Sequence, residues 1–144
     1  MMTDRTFTII KPNAVAAGNA GKIIDAIIEG GFRIIALRLT YFSRNQAERF
    51  YAVHKGKPFF NELVDFMTSG AVYVGVVEHE NAVAEFRRLI GATDPAKADE
   101  GTIRRRFGES LQCNAIHGSD SDENACKEWS QFFTEDDIIT AEYR

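Results

Sequence analysis

Cysteine is scarce in this chain, and its two copies, Cys113 and Cys126, lack the C-x-x-C spacing of a zinc or redox pair. Nothing points to an oxidising compartment, so both read as free thiols of a cytoplasmic protein. Basic excess is missing too: 17 Lys and Arg stand against 21 Asp and Glu, a formal net charge of −4. That balance argues against a dedicated nucleic-acid site or an anionic membrane surface, which need positive charge. A polyanionic substrate would have to be held by a local basic cluster. Long hydrophobic runs are absent as well. The longest apolar-and-glycine stretch, GAVYVGVV at 70–77, has the length of a buried strand and is far too short to span a membrane. Asp4, Arg5 and Lys11 interrupt the first eleven positions, so no signal-peptide core is expected there.

What is present describes one globular unit. With 144 residues, 44% of them hydrophobic, the chain can bury one core, and a single domain over 1–144 is expected. RTFTII at 5–10 alternates and then turns apolar, a first strand that Pro12 cannot continue. Ile23, Ile24, Ile27 and Ile28 recur at helical spacing through 21–30, with Gly30 and Gly31 as the stop. FRIIALRLTYF at 32–42 is β-branched and aromatic enough for a second strand, after which Ser43 and Gln46 spell a capping box for a helix to about Val53. Pro58 opens a second short helix, 71–77 is a third strand, and ENAVAEFRRLI at 80–90 is an amphipathic helix stopped by Gly91. Residues 91–113 lack periodicity and predict an ordered loop, of a length that often carries function. A short strand at 115–116 leads into HGSDS, where Asp120 or Ser121 caps a last helix to about Phe133. Four strands alternating with helices predict an α/β (α+β) fold, most simply a ferredoxin-like βαββαβ sandwich. Its four-stranded antiparallel sheet is expected to be covered by helices on one face.

The usual phosphate cradle is missing. A Walker loop needs G-x-x-x-x-G-K-[ST], but Gly21-Lys22 is followed by Ile23, and Ala16 stands where the first glycine belongs. Neither H-E-x-x-H nor a Cys/His ligand spacing occurs, so no protein-held metal is expected. The most unusual segment is NAIHGSDS at 114–121, in which a histidine leaves a short apolar strand just before a helix start rich in hydroxyls and carboxylates. Taken alone it has two readings. In one, His117 is a satisfied strand-end side chain and SDSDE an acidic first turn favoured by the helix dipole. In the other, His117 is an oriented nucleophile, because imidazole is among the few side chains that carry a phosphoryl group at neutral pH.

NAIHGSDS, together with TIIKPNAV at 8–15, FYAVHKGKPFFNELVDFMTSG at 50–70 and GATDPAKADEGTIR at 91–104, resembles the nucleoside diphosphate kinase family from residue 6 to about 133. The resemblance implies magnesium-dependent exchange of phosphate between nucleoside triphosphates, mainly ATP, and diphosphates. It also implies a ping-pong route through a phosphohistidine, tolerance of base and sugar, and a homo-oligomer built from dimers. His117 falls on the phosphorylated histidine. Lys11, Arg87, Thr93 and Arg104 fall on phosphate-holding positions, with Lys11 also reaching the sugar. Phe59 falls on the aromatic that stacks on the base, Asn114 on a sugar-hydroxyl contact, and Tyr51, Ser119 and Glu128 on positions that orient the histidine. Magnesium is expected on the substrate phosphates. Two departures stand out: Arg105 and Arg106 follow Arg104 where many relatives carry a small residue and then an acid, and Glu100 stands where many carry a proline or small residue.

Singly, each of these side chains has an ordinary structural use. Phe59 and Tyr51 suit a core, Arg87 and Glu128 a wet helix face, Thr93 a turn before Asp94-Pro95, Lys11 an exposed loop, and Arg104 a solvated charge run. Three functions remain to be separated: an exchange enzyme, a regulatory protein that uses phosphohistidine as a signal, and an oligomeric scaffold with a degraded site. The scaffold reading requires missing residues, yet every matched position is filled.

Overall fold

The computed structural model describes residues 4–139. Along the chain run β1 (Arg5–Ile10), α1 (Pro12–Ala16), α2 (Ala20–Glu29), β2 (Arg33–Thr40), α3 (Arg44–Phe50), α4 (Phe60–Met67), β3 (Val72–Glu78), α5 (Ala82–Ile90), α6 (Ile103–Phe107), β4 (Ile116–Gly118) and α7 (Asp122–Trp129). Single 3-10 turns lie at Ala52–His54, Pro95–Lys97 and Glu135–Asp137. The strands form one sheet in the order β2-β3-β1-β4, with every pairing antiparallel. Read through β1, α2, β2, β3, α5 and β4, this is the βαββαβ arrangement the sequence predicts. Here β1 is central, and its Ile9 pairs with His117 on β4.

Helices cover both faces of the sheet, not one. Side chains alternate across a strand, and on β3 Val72, Val74 and Val76 enter one core while Val77 and the flanking Tyr73 enter the other. The first core also takes Phe7 and Ile9 of β1, Ala47 of α3, Phe60, Val64 and Met67 of α4, and Ala125 and Trp129 of α7. The second takes Ile23 and Ile27 of α2, Phe86 and Ile90 of α5, and Ile103 of α6. A strand that is apolar on both sides has to be buried on both sides, and GAVYVGVV already carries that information.

Local chemistry accounts for most of the boundaries. The expected capping box is present: Ser43 Oγ accepts from Gln46 N at 3.1 Å, and Gln46 Oε1 accepts from Ser43 N at 3.0 Å. That helix ends at Phe50 and continues only as the 3-10 turn. Pro58 lies in the turn before α4 rather than in its first turn, so the helix starts at Phe60. Two short helices fall where loops are expected. Pro12 opens α1, at a position whose missing N–H costs nothing. Thr102 Oγ1 caps α6 by accepting from Arg105 N at 3.3 Å. The last helix is capped by Ser121, whose Oγ accepts from Asn124 N at 3.1 Å, and it ends at Trp129, before Phe133.

Candidate active site

His117 is the middle residue of β4, and strand alternation points its ring into the first core. Phe50 lies edge-on at 5.4 Å between ring centroids and Phe7 at 6.3 Å. The backbone carbonyl of His117 accepts from Thr8 Oγ1 at 2.9 Å, which fixes the main chain as well as the ring. From α7, Glu128 Oε1 meets His117 Nε2 at 2.8 Å, and the same oxygen accepts from Ser119 Oγ at 2.7 Å. A carboxylate can only accept, so Nε2 is the protonated nitrogen of this tautomer and Nδ1 keeps its lone pair. Ser119 is fully buried and anchors Glu128 from the other side. Tyr51, at the end of α3, is also buried, and its hydroxyl has no hydrogen-bond partner among the described residues. Burial first, and the Glu128 charge second, push that phenol well above its ordinary pKa and keep it neutral.

A second group gathers beside the histidine. Lys11 leaves the end of β1, is buried, and donates from Nζ to Asn114 Oδ1 at 2.8 Å. Asn114 donates in turn to the Thr93 carbonyl at 2.9 Å, so one amide links the strand end to the 91–113 segment. Arg104 is buried on α6 and donates to the carbonyls of Gly91 (3.1 Å) and Ile116 (2.9 Å), while its Nε has no partner among the described residues. Burial and the neighbouring Arg87 guanidinium lower Arg104 to about 10. Burial, followed by Arg104, lowers Lys11 to about 7, with Cys113 pulling weakly the other way. Arg87 is exposed on α5 and lines a cleft of roughly 480 Å³ with Asn81, Asp120, Ser121 and Asp122. Arg104 thus disfavours a charge on Lys11 as Arg87 does on Arg104, and an anion placed among them favours the charged form of Lys11. The second and third arginines of the triplet face elsewhere: Arg105 donates to the Ala96 carbonyl at 3.1 Å, and Arg106 lies over the Phe107 ring at 4.8 Å.

Phe59 stands at the start of α4 with 45% of its surface exposed, which rules out the core use considered for it. His54 packs on its ring at 5.2 Å, and Lys57 Nζ lies 5.9 Å from it. The sequence-predicted residues thus fall into a histidine group (Tyr51, His117, Ser119, Glu128), a polar group (Lys11, Thr93, Arg104, Asn114, with Arg87 close by) and an exposed aromatic. Three neighbours escaped sequence reasoning. Phe50 sits beside the histidine, although its helical spacing reads as ordinary core. Leu111 is 62% exposed on the 108–115 loop, and the adjacent Gln112 binds α4. A large apolar residue, Leu111, inside an aperiodic stretch was the one available signal.

Comparison with known proteins gives the same reading. The family model described as nucleoside diphosphate kinase matches residues 4–138. The chain belongs to the nucleoside diphosphate kinase family. It is similar to the nucleoside diphosphate kinase of Phenylobacterium zucineum, with 55% identity over 138 residues, covering 96% of this chain and 99% of that protein. Its likeness to the nucleoside diphosphate kinase of Nitratiruptor sp. is 56% over 136 residues, 94% of this chain and 99% of the relative. Among solved structures, the Aquifex aeolicus nucleoside diphosphate kinase superposes with a TM-score of 0.92 at 43% identity, covering 95% of this chain and 99% of the other. A halophilic nucleoside diphosphate kinase from Halobacterium salinarum, in complex with CDP, superposes at 0.90 with 37% identity, covering 95% and 91%. Members of the family are phosphotransferases that act on nucleoside triphosphates and diphosphates, generally with a divalent cation. Among the described residues no helix is long and apolar enough to cross a membrane.

Proposed function

We propose that the chain is a single-domain enzyme over 1–144 that transfers the terminal phosphoryl group of a nucleoside triphosphate, mainly ATP, to a nucleoside diphosphate through His117. The observation that carries this reading is the Glu128 Oε1 contact at 2.8 Å, which occupies Nε2 and leaves Nδ1 as the nucleophile. In the first half-reaction the Nδ1 lone pair forms an N–P bond to the γ-phosphorus while the bond to the β–γ bridging oxygen breaks, and the diphosphate leaves. Glu128 balances the charge that the ring gains, and Ser119 keeps Glu128 in place. In the second half-reaction a terminal phosphate oxygen of the acceptor attacks the phosphorus and frees the imidazole. Such transfers depend on positioning and on positive charge around the equatorial oxygens. Arg87 and Arg104 supply forked donors for that charge and Lys11 a point charge, with Thr93 as a further phosphate contact. Lys11 and Asn114 meet the sugar hydroxyls.

Magnesium comes in with the nucleotide. Among the described residues no group of three or more His, Cys, Asp or Glu is placed to hold a metal. The donors that converge here are cations and fit phosphate oxygens instead. We assign the base to a slot between Phe59 and Leu111, two exposed apolar side chains on segments that the Gln112–Glu62 hydrogen bond ties together, and stacking on a π-face there supports broad base tolerance. Two free cysteines are consistent with a cytoplasmic location. A homo-oligomer built from dimers is favoured by exposed Leu37 and Leu39 on the edge strand β2.

The test is to incubate the protein with γ-labelled ATP and magnesium, remove nucleotide and map the label. Acid-labile, alkali-stable label on His117 that discharges onto any added diphosphate is expected. Label on Ser119, or a His117→Ala variant exchanging phosphate at the parent rate, would sink the mechanism. Label that forms slowly and resists discharge would point to a signalling role.

A further inference from the structure

The base slot proposed above takes its walls from two distant parts of the chain. Phe59 belongs to the start of α4, and Leu111 to the loop between α6 and β4. That loop closes on itself: Glu109 N donates to the Cys113 carbonyl at 2.8 Å, and Cys113 N donates to Ser110 Oγ at 3.1 Å. It is moored to α1 through Asn13, whose Nδ2 donates to Glu109 Oε2 (2.8 Å) and to the Cys113 carbonyl (3.0 Å). These anchors tie the loop to itself and to α1, not to α4. Toward α4, one hydrogen bond is made among the described residues: Gln112 Nε2 donates to the Glu62 carbonyl at 2.9 Å, in the first turn of the helix that begins beside Phe59.

We propose that Gln112 is a positioning residue for nucleoside binding, a strap whose amide fixes the distance between Leu111 and Phe59 before the base arrives. The inference rests on the assignment of Phe59 and Leu111 to the base slot. Its physical content is preorganisation. The tip of a loop moored on one side only has to be ordered when the ligand binds, and a bond already made to the opposite wall removes that cost. The strap touches neither the phosphates nor His117, so it acts on nucleoside affinity and not on the transfer step. The chemistry of the residue also matters. A carbonyl acceptor needs a donor, so Gln serves where Glu would not, and Lys serves in its place.

Gln112→Ala should raise the KM for nucleotides of every base by about two- to tenfold, the span of one net hydrogen bond, and leave kcat within about twofold. Gln112→Lys should recover most of that loss, while Gln112→Glu should not. Inorganic pyrophosphate has no base, and its inhibition constant should be the same for the parent and Gln112→Ala. In a double-mutant cycle, Gln112→Ala made on Leu111→Ala should cost nothing further, because the wall it positions has been removed. An unchanged KM for Gln112→Ala, or equal weakening of pyrophosphate and nucleotides, would overturn the strap. Failure of the slot itself is distinguishable, since Phe59→Ala would then leave KM unaltered. Gln112 lies at the surface, so a thermal melt within a degree or two of the parent establishes that folding is intact.

Discussion

At the scale of single residues, Lys11 is the most unusual group in the site. Burial, and then the Arg104 guanidinium, hold its ammonium at about 7 instead of the ordinary 10.5. The unfolded chain therefore binds more protons than the folded one between those two values. This group makes stability rise with pH across that window and imposes its full penalty below it. Nucleotide phosphates placed beside Lys11 favour its charged form, so binding should take up a proton. Calorimetry in buffers of different ionisation enthalpy should give an uptake of about half a proton at pH 7 and nearly one at pH 8, falling off toward pH 6. Lys11→Met should abolish the pH 8 uptake, and a parent protein with none at pH 8 would refute the account. The arginine triplet can be sorted in the same way. Arg104 holds two backbone carbonyls from a buried position, and Arg106 rests over Phe107. Arg104→Ala should cut kcat far more than it raises KM, and it should also cost about 1–3 kcal/mol of stability through the carbonyls it orphans. Arg106→Ala should stay within about 0.5 kcal/mol, with normal turnover. By residue type these three arginines read alike and only the family resemblance singles out Arg104, because which one turns inward is set by α6, a helix of five residues.

At the scale of elements, legibility followed length. Strands β1 to β3 and the helices α2 and α5 were readable because their patterns run over enough residues, and α3 and α7 because Ser43, and Asp120 or Ser121, mark a start. Helices α1 and α6 span five residues each, less than two turns, and carry no period to detect. Both bear on the site, since Lys11 stands at the N-cap of α1 and α6 presents Arg104. The covering of both sheet faces was written in the two-sided apolarity of β3 but was outweighed by the simpler one-layer arrangement. One contact between elements is unusually tight. A Cβ on Gly118 would lie 2.9 Å from Phe86 Cδ2 and 3.0 Å from Ile90 Cδ1, and both side chains are fully packed in α5. Gly118→Ala should therefore push α5, with Arg87, away from β4. Overpacking of this kind costs about 1–3 kcal/mol, and kcat/KM should fall with it. Ser43→Ala is the comparison: it should lose about 0.5–2 kcal/mol from the α3 cap and leave turnover per folded chain unchanged. A Gly118→Ala protein with parental melting and parental kcat/KM would mean that α5 does not set the position of Arg87.

At the scale of the whole molecule, the sheet order places the chemistry at one edge and unspent apolar surface at the other. β4, with His117, is one edge strand, and β2 is the opposite one, separated from it by β3 and β1. On β2, Leu37 is 42% and Leu39 54% exposed, and Ile28 on the neighbouring helix α2 is 55% exposed. On this eight-residue edge strand Ile139 N donates to the Ile35 carbonyl at 3.0 Å, and the stretch that holds Leu37 and Leu39 is a template for pairing unless something covers it. A second copy of the chain, related by a twofold axis, would pair β2 with β2 antiparallel and bury the leucines of both. The parent protein should therefore sediment as a dimer or a multiple of one at micromolar concentration. Leu37→Lys with Leu39→Lys places charge on that edge and should shift the protein to smaller species. Because the histidine group lies across the sheet, the His117 phosphoenzyme should still form in the dissociated chain, although marginal stability after dissociation should lower the melting temperature. A parent that sediments as a monomer, or a double variant that keeps the parental assembly, would remove β2 as the dimer edge without touching the phosphohistidine mechanism.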